Sequence, residues 1–171
     1  MRFIKIIDVI GYSGSGKTYL ISKAIKLLKK QLNYNVAVIK NVKHHQIDIK
    51  GKDSHKYTES GAKYSIIRNN ANDFGIFLKT KDDNLEIIYD WLNIGPINID
   101  LLFTEGFRDL NHPTILCVKK LDEIESQLNK NVRIISGIIC SNNLNEDNFR
   151  EIPILDLEKQ FQKVLKIFKI K

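Results

Sequence analysis

The sequence predicts an α/β domain in which a mostly parallel sheet carries helices on both faces and a small β-hairpin as an insert. Three observations carry that expectation. A β-rich apolar run over residues 3–10 passes through a glycine turn into a helically spaced segment, residues 17–31. Continuous apolar runs at 36–39 and 99–103 have the pattern of strands covered on both faces. Two short strand patterns, Tyr64–Arg68 and 73–79, are joined at Asn69-Asn70 as a hairpin.

Taken in order, the first helix is justified by Leu20, Ile21, Ala24, Ile25, Leu27 and Leu28 at 3.6-residue spacing, and Asn33-Tyr34-Asn35 stops it. Residues 41–54 are polar, carry His44, His45, Asp48, Lys52 and Asp53, and are long for a plain connection, so a functional loop is expected there. Ser54 is the expected cap of a short helix reaching Ser60, with Gly61 as its stop. Asp82 or Asp83 caps a helix running through Trp91, and the strand 99–103 ends at Thr104-Glu105-Gly106. Further strands are expected near 115–118 and 133–140. Asp156, just after Pro153, is the expected N-cap of a closing helix that places Leu157, Phe161, Val164, Leu165 and Phe168 on one face. The whole chain, 1–171, reads as a single domain with its insert at about 41–80.

Of the 171 residues, 43% are apolar and 27% charged, and no apolar run approaches the ~20 residues that span a bilayer. The N-terminus lacks the apolar core and cleavage site of a signal peptide, so a cytoplasmic, membrane-free protein is expected. Cys117 and Cys140 lie in apolar stretches without ligand spacing and read as buried, reduced thiols. The net charge of +7 favours anionic partners, but only five basic residues are Arg and the lysines are spread over helix faces. That is a solvated lysine-rich surface rather than a nucleic-acid footprint.

Gly11-Tyr12-Ser13-Gly14-Ser15-Gly16-Lys17-Thr18 fits the P-loop pattern, and the strand before it and helix after it are the context that pattern requires. Gly11, Gly14 and Gly16 allow backbone N–H groups to converge on phosphate, and the helix N-terminus adds its dipole. Lys17 supplies a point charge for the β and γ phosphates, and the Thr18 hydroxyl suits Mg²⁺. The expected nucleotide contacts are therefore Gly11, Ser13, Gly14, Ser15, Gly16, Lys17, Thr18 and Tyr19. Glu105, at the C-terminal end of a buried strand, is the expected second metal-linked acid, while Asp100 stands at the opposite edge. Lys17, Asp53 and Glu105 form the candidate catalytic set, with Asp53 orienting metal-bound water and Lys40 or Lys52 meeting an anion. A zinc site at His44, His45, Asp48 and Asp53 is the lesser alternative, because no Cys lies near.

Base preference is not written in the motifs. Residues 129–132 read Asn-Lys-Asn-Val and lack the Asp of a guanine-reading Asn-Lys-x-Asp. Ser141-Asn142-Asn143, following a strand, could offer amide contacts instead.

Three blocks in order resemble the molybdopterin-guanine dinucleotide biosynthesis protein B (MobB) adaptors. They are residues 9–18, then Val38-Ile39-Lys40 leading to Gly51-Lys52-Asp53-Ser54 and Gly61-Ala62, then Thr104-Glu105-Gly106-Phe107. The middle block is the most specific of the three. The resemblance implies a GTP- and Mg²⁺-binding homodimer with weak GTPase activity that assists a molybdopterin guanylyltransferase, with molybdopterin as a further candidate ligand. Tyr19, Asn41, Arg108, Thr114 and Leu116 depart from the family pattern. A small-molecule or nucleotide kinase is the competing reading, disfavoured by the lack of an Arg-rich lid, and a nucleotide-switched nucleic-acid module comes third. Slow turnover is expected, since no water-positioning Gln follows Glu105-Gly106 and only Arg108 is near enough in sequence to act as a finger.

Overall fold

The computed structural model describes residues 4–43, 46–71, 73–80, 85–141 and 147–171. Two compact units arise, one from Met1–Asn41 with Trp91–Lys171 and the other from Val42–Asp90.

The first unit is built on five parallel strands in the order β2-β5-β1-β6-β7. These are β1 (Lys5–Ile10), β2 (Val36–Lys40), β5 (Leu101–Glu105), β6 (Thr114–Cys117) and β7 (Val132–Ser136). Side chains alternate across this sheet, so β1, β6 and β7 each feed two cores. Ile7, Val9, Leu101, Phe103, Ile115, Cys117 and Ile134 face a core shared with α1 (Lys17–Leu32) and α4 (Phe161–Ile167). Ile10, Leu116, Val118, Val132 and Ile135 face a second core closed by Ile124 and Ile139, which belong to short turns rather than to a long helix. Helix α1 buries Leu20, Ile21, Ala24 and Leu28, and it ends where Asn33 turns left-handed at φ 55° and donates its N–H to the carbonyls of Leu28 and Lys29.

The second unit holds α2 (Asp53–Glu59) and the antiparallel hairpin of β3 (Tyr64–Arg68) with β4 (Phe74–Leu78). Asn69 closes that hairpin, its Oδ1 accepting the N–H groups of Ala71 and Asp73 at 2.9 Å each. Helix α3 (Glu86–Ile94) carries the chain from this unit back to the first, and a small ribbon of β8 (Asn148–Phe149) with β9 (Ile152–Pro153) precedes α4.

Three local expectations need correction. The strand expected over 133–140 ends at Ser136, because Gly137 at φ 99° turns the chain into a 3-10 turn, Ile138–Ser141. Ser54 does not cap α2. It lies inside the helix and donates its hydroxyl to the Asp48 carboxylate at 2.6 Å, while Lys52 takes the N-cap position. Asp156 does not start the closing helix: its Oδ1 accepts the N–H groups of Glu158 and Lys159, which closes a separate turn, and α4 begins only at Phe161. The cap expected at Asp82 or Asp83 lies outside the described residues.

Candidate functional site

Parallel pairing puts the C-terminal ends of β1, β2 and β5 at one edge of the sheet. Val9 pairs with Glu105, and Glu105 pairs in turn with Lys40. The turn from Gly11 leaves β1 at that edge and re-enters the chain as α1, whose first turn contains no acidic side chain to offset its dipole. Gly11 lies at φ 146°, and a Cβ there would stand 2.2 Å from the Cys117 carbonyl oxygen and 2.6 Å from the Ser15 hydroxyl. Only glycine fits so close to β6.

A second glycine, unremarked in the sequence, shapes the same loop from outside. Gly137 follows β7, and a Cβ on it would meet the Ser15 carbonyl oxygen at 2.5 Å. The Ile138 N–H donates to that carbonyl at 3.2 Å, so the end of β7 buttresses the loop. No local pattern marks Gly137, because its role depends on a loop more than a hundred residues away.

The loop side chains form a small polar cluster. The Lys17 ammonium donates to the carbonyls of Gly11 and Tyr12 at 2.9 and 2.8 Å, and burial lowers its pKa while the nearby Glu105 carboxylate opposes that shift. Thr18 Oγ1 donates to Glu105 Oε1 at 2.9 Å, and Lys40 Nζ stands 3.4 Å from the same oxygen. Glu105 is 5% exposed, so this carboxylate is held at the strand end by a hydroxyl and one ammonium. The Ser15 hydroxyl is fully buried and has no hydrogen-bond partner among the described residues. An orphaned hydroxyl, an uncompensated helix start, a lysine and a Thr–Glu pair form a donor set that fits a polyphosphate and Mg²⁺.

The structure therefore brings Gly11, Gly14, Ser15, Gly16, Lys17, Thr18 and Glu105 together, and beside Glu105 stands Lys40, one of the two lysines expected to meet an anion. Ser13 lies in the same loop and is exposed. Tyr19 points elsewhere on α1: its hydroxyl reaches Glu158 at 3.3 Å, beside a cleft that also touches Gly16. Arg108 stacks 5.3 Å over the Tyr12 ring and donates to Gln127 Oε1 at 2.8 Å. Asp100 sits at the far edge, where its carboxylate accepts the Asn35 N–H. Asp53 heads α2 in the second unit, with Lys56 Nζ 3.4 Å from its carboxylate. His44 and His45 lie outside the described residues, and no group of three or more His, Cys, Asp or Glu able to hold a metal occurs among those described. Nor, among them, is any helix long and apolar enough to cross a membrane.

Residues 6–141 match the family model for molybdopterin guanine dinucleotide synthesis protein B. A Haemophilus influenzae molybdopterin-guanine dinucleotide biosynthesis adapter protein is 33% identical over 129 residues, which is 71% of this chain and 70% of that protein. A Methanocaldococcus jannaschii protein, provisionally named as the same adapter, is 36% identical over 124 residues. That stretch covers 70% of this chain but only 49% of the Methanocaldococcus protein, so the chain spans about half of that relative's length. The crystal structure of Bacillus subtilis MobB superposes with a TM-score of 0.73 at 20% identity, covering 98% of this chain and 100% of that one. At that identity the likeness speaks for the fold.

Proposed function

The chain belongs to the molybdopterin guanine dinucleotide synthesis protein B family, and from that premise we propose that it is a GTP-binding adapter assisting guanylation of molybdopterin. The observation that carries the nucleotide part is the Thr18–Glu105 contact at 2.9 Å beneath a loop with the full P-loop pattern. A hydroxyl and a carboxylate at this spacing are the two protein groups a P-loop offers to Mg²⁺, one directly and one through water. When bound, the ion would neutralise charge on the phosphates. Lys17 would leave the loop carbonyls to meet phosphate, and the N–H groups of residues 14–18 would supply the remaining donors.

Slow hydrolysis belongs to the same reading. Arg108 is engaged by Tyr12 and Gln127 rather than free over the loop, and arginine fingers are worth roughly 10³ to 10⁵ in rate. Asp53 is proposed as the water-orienting acid on the strength of the Gly51-Lys52-Asp53-Ser54 block. A molybdopterin guanylyltransferase is the proposed partner, a cytoplasmic homodimer the proposed working form, and a single P-loop domain with an insert at about 41–80 the proposed organisation.

Two measurements test this. Thermal unfolding with GTP and Mg²⁺ should show stabilisation of about 2.7 kcal/mol at 100 times Kd. In a reconstituted guanylyltransferase reaction, adding the chain should raise molybdopterin guanine dinucleotide formation while its own GTP turnover stays slow. Fast phosphoryl transfer to a small acceptor would instead favour a kinase. Glu105→Gln should weaken binding with Mg²⁺ more than binding without it, since the amide keeps the Thr18 hydrogen bond and loses the charge. An equal loss in both would make Glu105 a packing residue.

A further inference from the structure

Beside the phosphate loop lies a cleft of about 310 Å³ whose lining includes Gly16, Tyr19, Ile138, Ser141, Asp156 and Leu157. We propose that this cleft holds the nucleobase and that the Asp156 carboxylate selects guanine by accepting its ring and exocyclic N–H groups. The inference rests on the nucleotide-binding reading above and extends it to specificity.

The first argument is topological. Ile154 forms a parallel bridge to Ile135, Leu155 donates its N–H to the Ile135 carbonyl at 2.9 Å, and the Ser136 hydroxyl donates to the Leu155 carbonyl at 2.7 Å. Residues 154–155 thus prolong the sheet beyond β7 in the same direction. Asp156 consequently emerges at the edge where β1 delivers Gly11 and β5 delivers Glu105, the edge at which open α/β sheets bind ligands. Residues 129–132, where the sequence lacks a guanine-reading Asp, sit at the start of β7 and hence at the wrong edge.

The second argument is continuity. Gly16 is at once the last loop residue before α1 and part of the cleft lining, so a ligand with its phosphates on the loop has this cleft next to it. The lining mixes apolar surface from Tyr19, Ile138 and Leu157 with a few polar groups, the usual make-up of a small-molecule site.

The third argument is chemical. Asp156 Oδ1 is turned by the N–H groups of Glu158 and Lys159, while Oδ2 has the Lys159 ammonium at 3.6 Å on a side chain 79% exposed. The carboxylate is oriented yet retains acceptor capacity. The other acid of the cleft, Glu158, is already engaged by Lys23 at 2.8 Å and Tyr19 at 3.3 Å. A carboxylate is acceptor-only, so it matches the adjacent N1–H and 2-amino donors of guanine and opposes the N1 acceptor of adenine.

Equilibrium binding of GTP, inosine triphosphate, ATP and xanthosine triphosphate to the full chain and to Asp156→Asn tests this. The unsubstituted chain should bind GTP at least about tenfold tighter than ATP, with inosine triphosphate in between for want of the 2-amino group. Asp156→Asn keeps an oxygen for Glu158 and Lys159, and should lose about tenfold or more in GTP affinity while gaining affinity for xanthosine triphosphate through its amide N–H. Lys17-dependent binding without preference among GTP, inosine triphosphate and ATP would overturn the guanine assignment and leave the phosphate site standing; because it uses the unsubstituted chain, this arm is independent of how the variant folds. A folded Asp156→Asn with an unchanged profile would do the same. Absence of any triphosphate binding to the unsubstituted chain would overturn the nucleotide reading itself.

Discussion

The Lys17 side chain is folded back onto its own loop. Its ammonium donates to two carbonyls of its own loop, so its removal takes little from the fold. Lys17→Ala is expected to leave stability within about 0.5 kcal/mol and to abolish or strongly weaken triphosphate binding. Urea unfolding and GTP titration of one preparation check both halves. Unchanged GTP affinity in the folded variant would remove the basis of the phosphate site. Cys117, directly beneath the loop, offers a pH test. Burial pushes its thiol up from the ordinary 9.0 to about 12. A raised folded pKa means that the unfolded chain loses the proton first, so the contribution is intact below pH 9 and fades as pH rises towards 12. Stability should fall across that window more steeply in the unsubstituted chain than in Cys117→Ala, as followed by chemical denaturation. Equal slopes would mean that the thiol is not sealed from water.

Among the elements, β1 and β5 are joined by more than their ladder. Asp8 is 1% exposed and pairs in register with Thr104, whose hydroxyl donates to its carboxylate at 2.5 Å. The same carboxylate accepts the His112 N–H at 3.2 Å and has the imidazole Nδ1 at 3.1 Å, which fixes the segment leading into β6. Asp8→Ala strips partners from buried groups and should cost about 1–3 kcal/mol. A denaturation midpoint matching that of the unsubstituted chain would show that water replaces the carboxylate. Since Glu105 directly follows Thr104 on β5, a slip at Thr104 should also reach the site, visible as weaker Mg²⁺-dependent binding.

At the scale of the molecule, the two units differ in what they bury. Both described core clusters lie wholly in the first unit. Along the hairpin, Tyr64, Ile66, Ile67, Phe74 and Ile76 are all exposed. Local stability follows buried apolar contact, so amides of β1, β5 and β6 should exchange hydrogen only through global opening, and those of β3 and β4 through cheaper local opening. Native-state hydrogen exchange on dilute protein measures this directly. Equal protection in the two sets would mean that the hairpin is covered in solution, as a self-associated form would cover it.

The sequence by itself determined the strand–loop–helix unit, the hairpin and Glu105, because each is encoded locally: glycines at fixed spacing, apolar runs of one length, an acid at a strand end. Periodicity also located the apolar face of α1. Cap chemistry misplaced Ser54 and Asp156, where a polar side chain has several partners within reach and only the surrounding fold selects one, and the apolar run beyond β7 concealed the turn made at Gly137. Gly137 against Ser15, Lys40 beside Glu105, Asp8 with Thr104, and Asp156 at the ligand edge were decided by tertiary structure alone. Each depends on which strands become neighbours, and that is settled by how the whole sheet orders itself, a choice that no local stretch of the chain can encode.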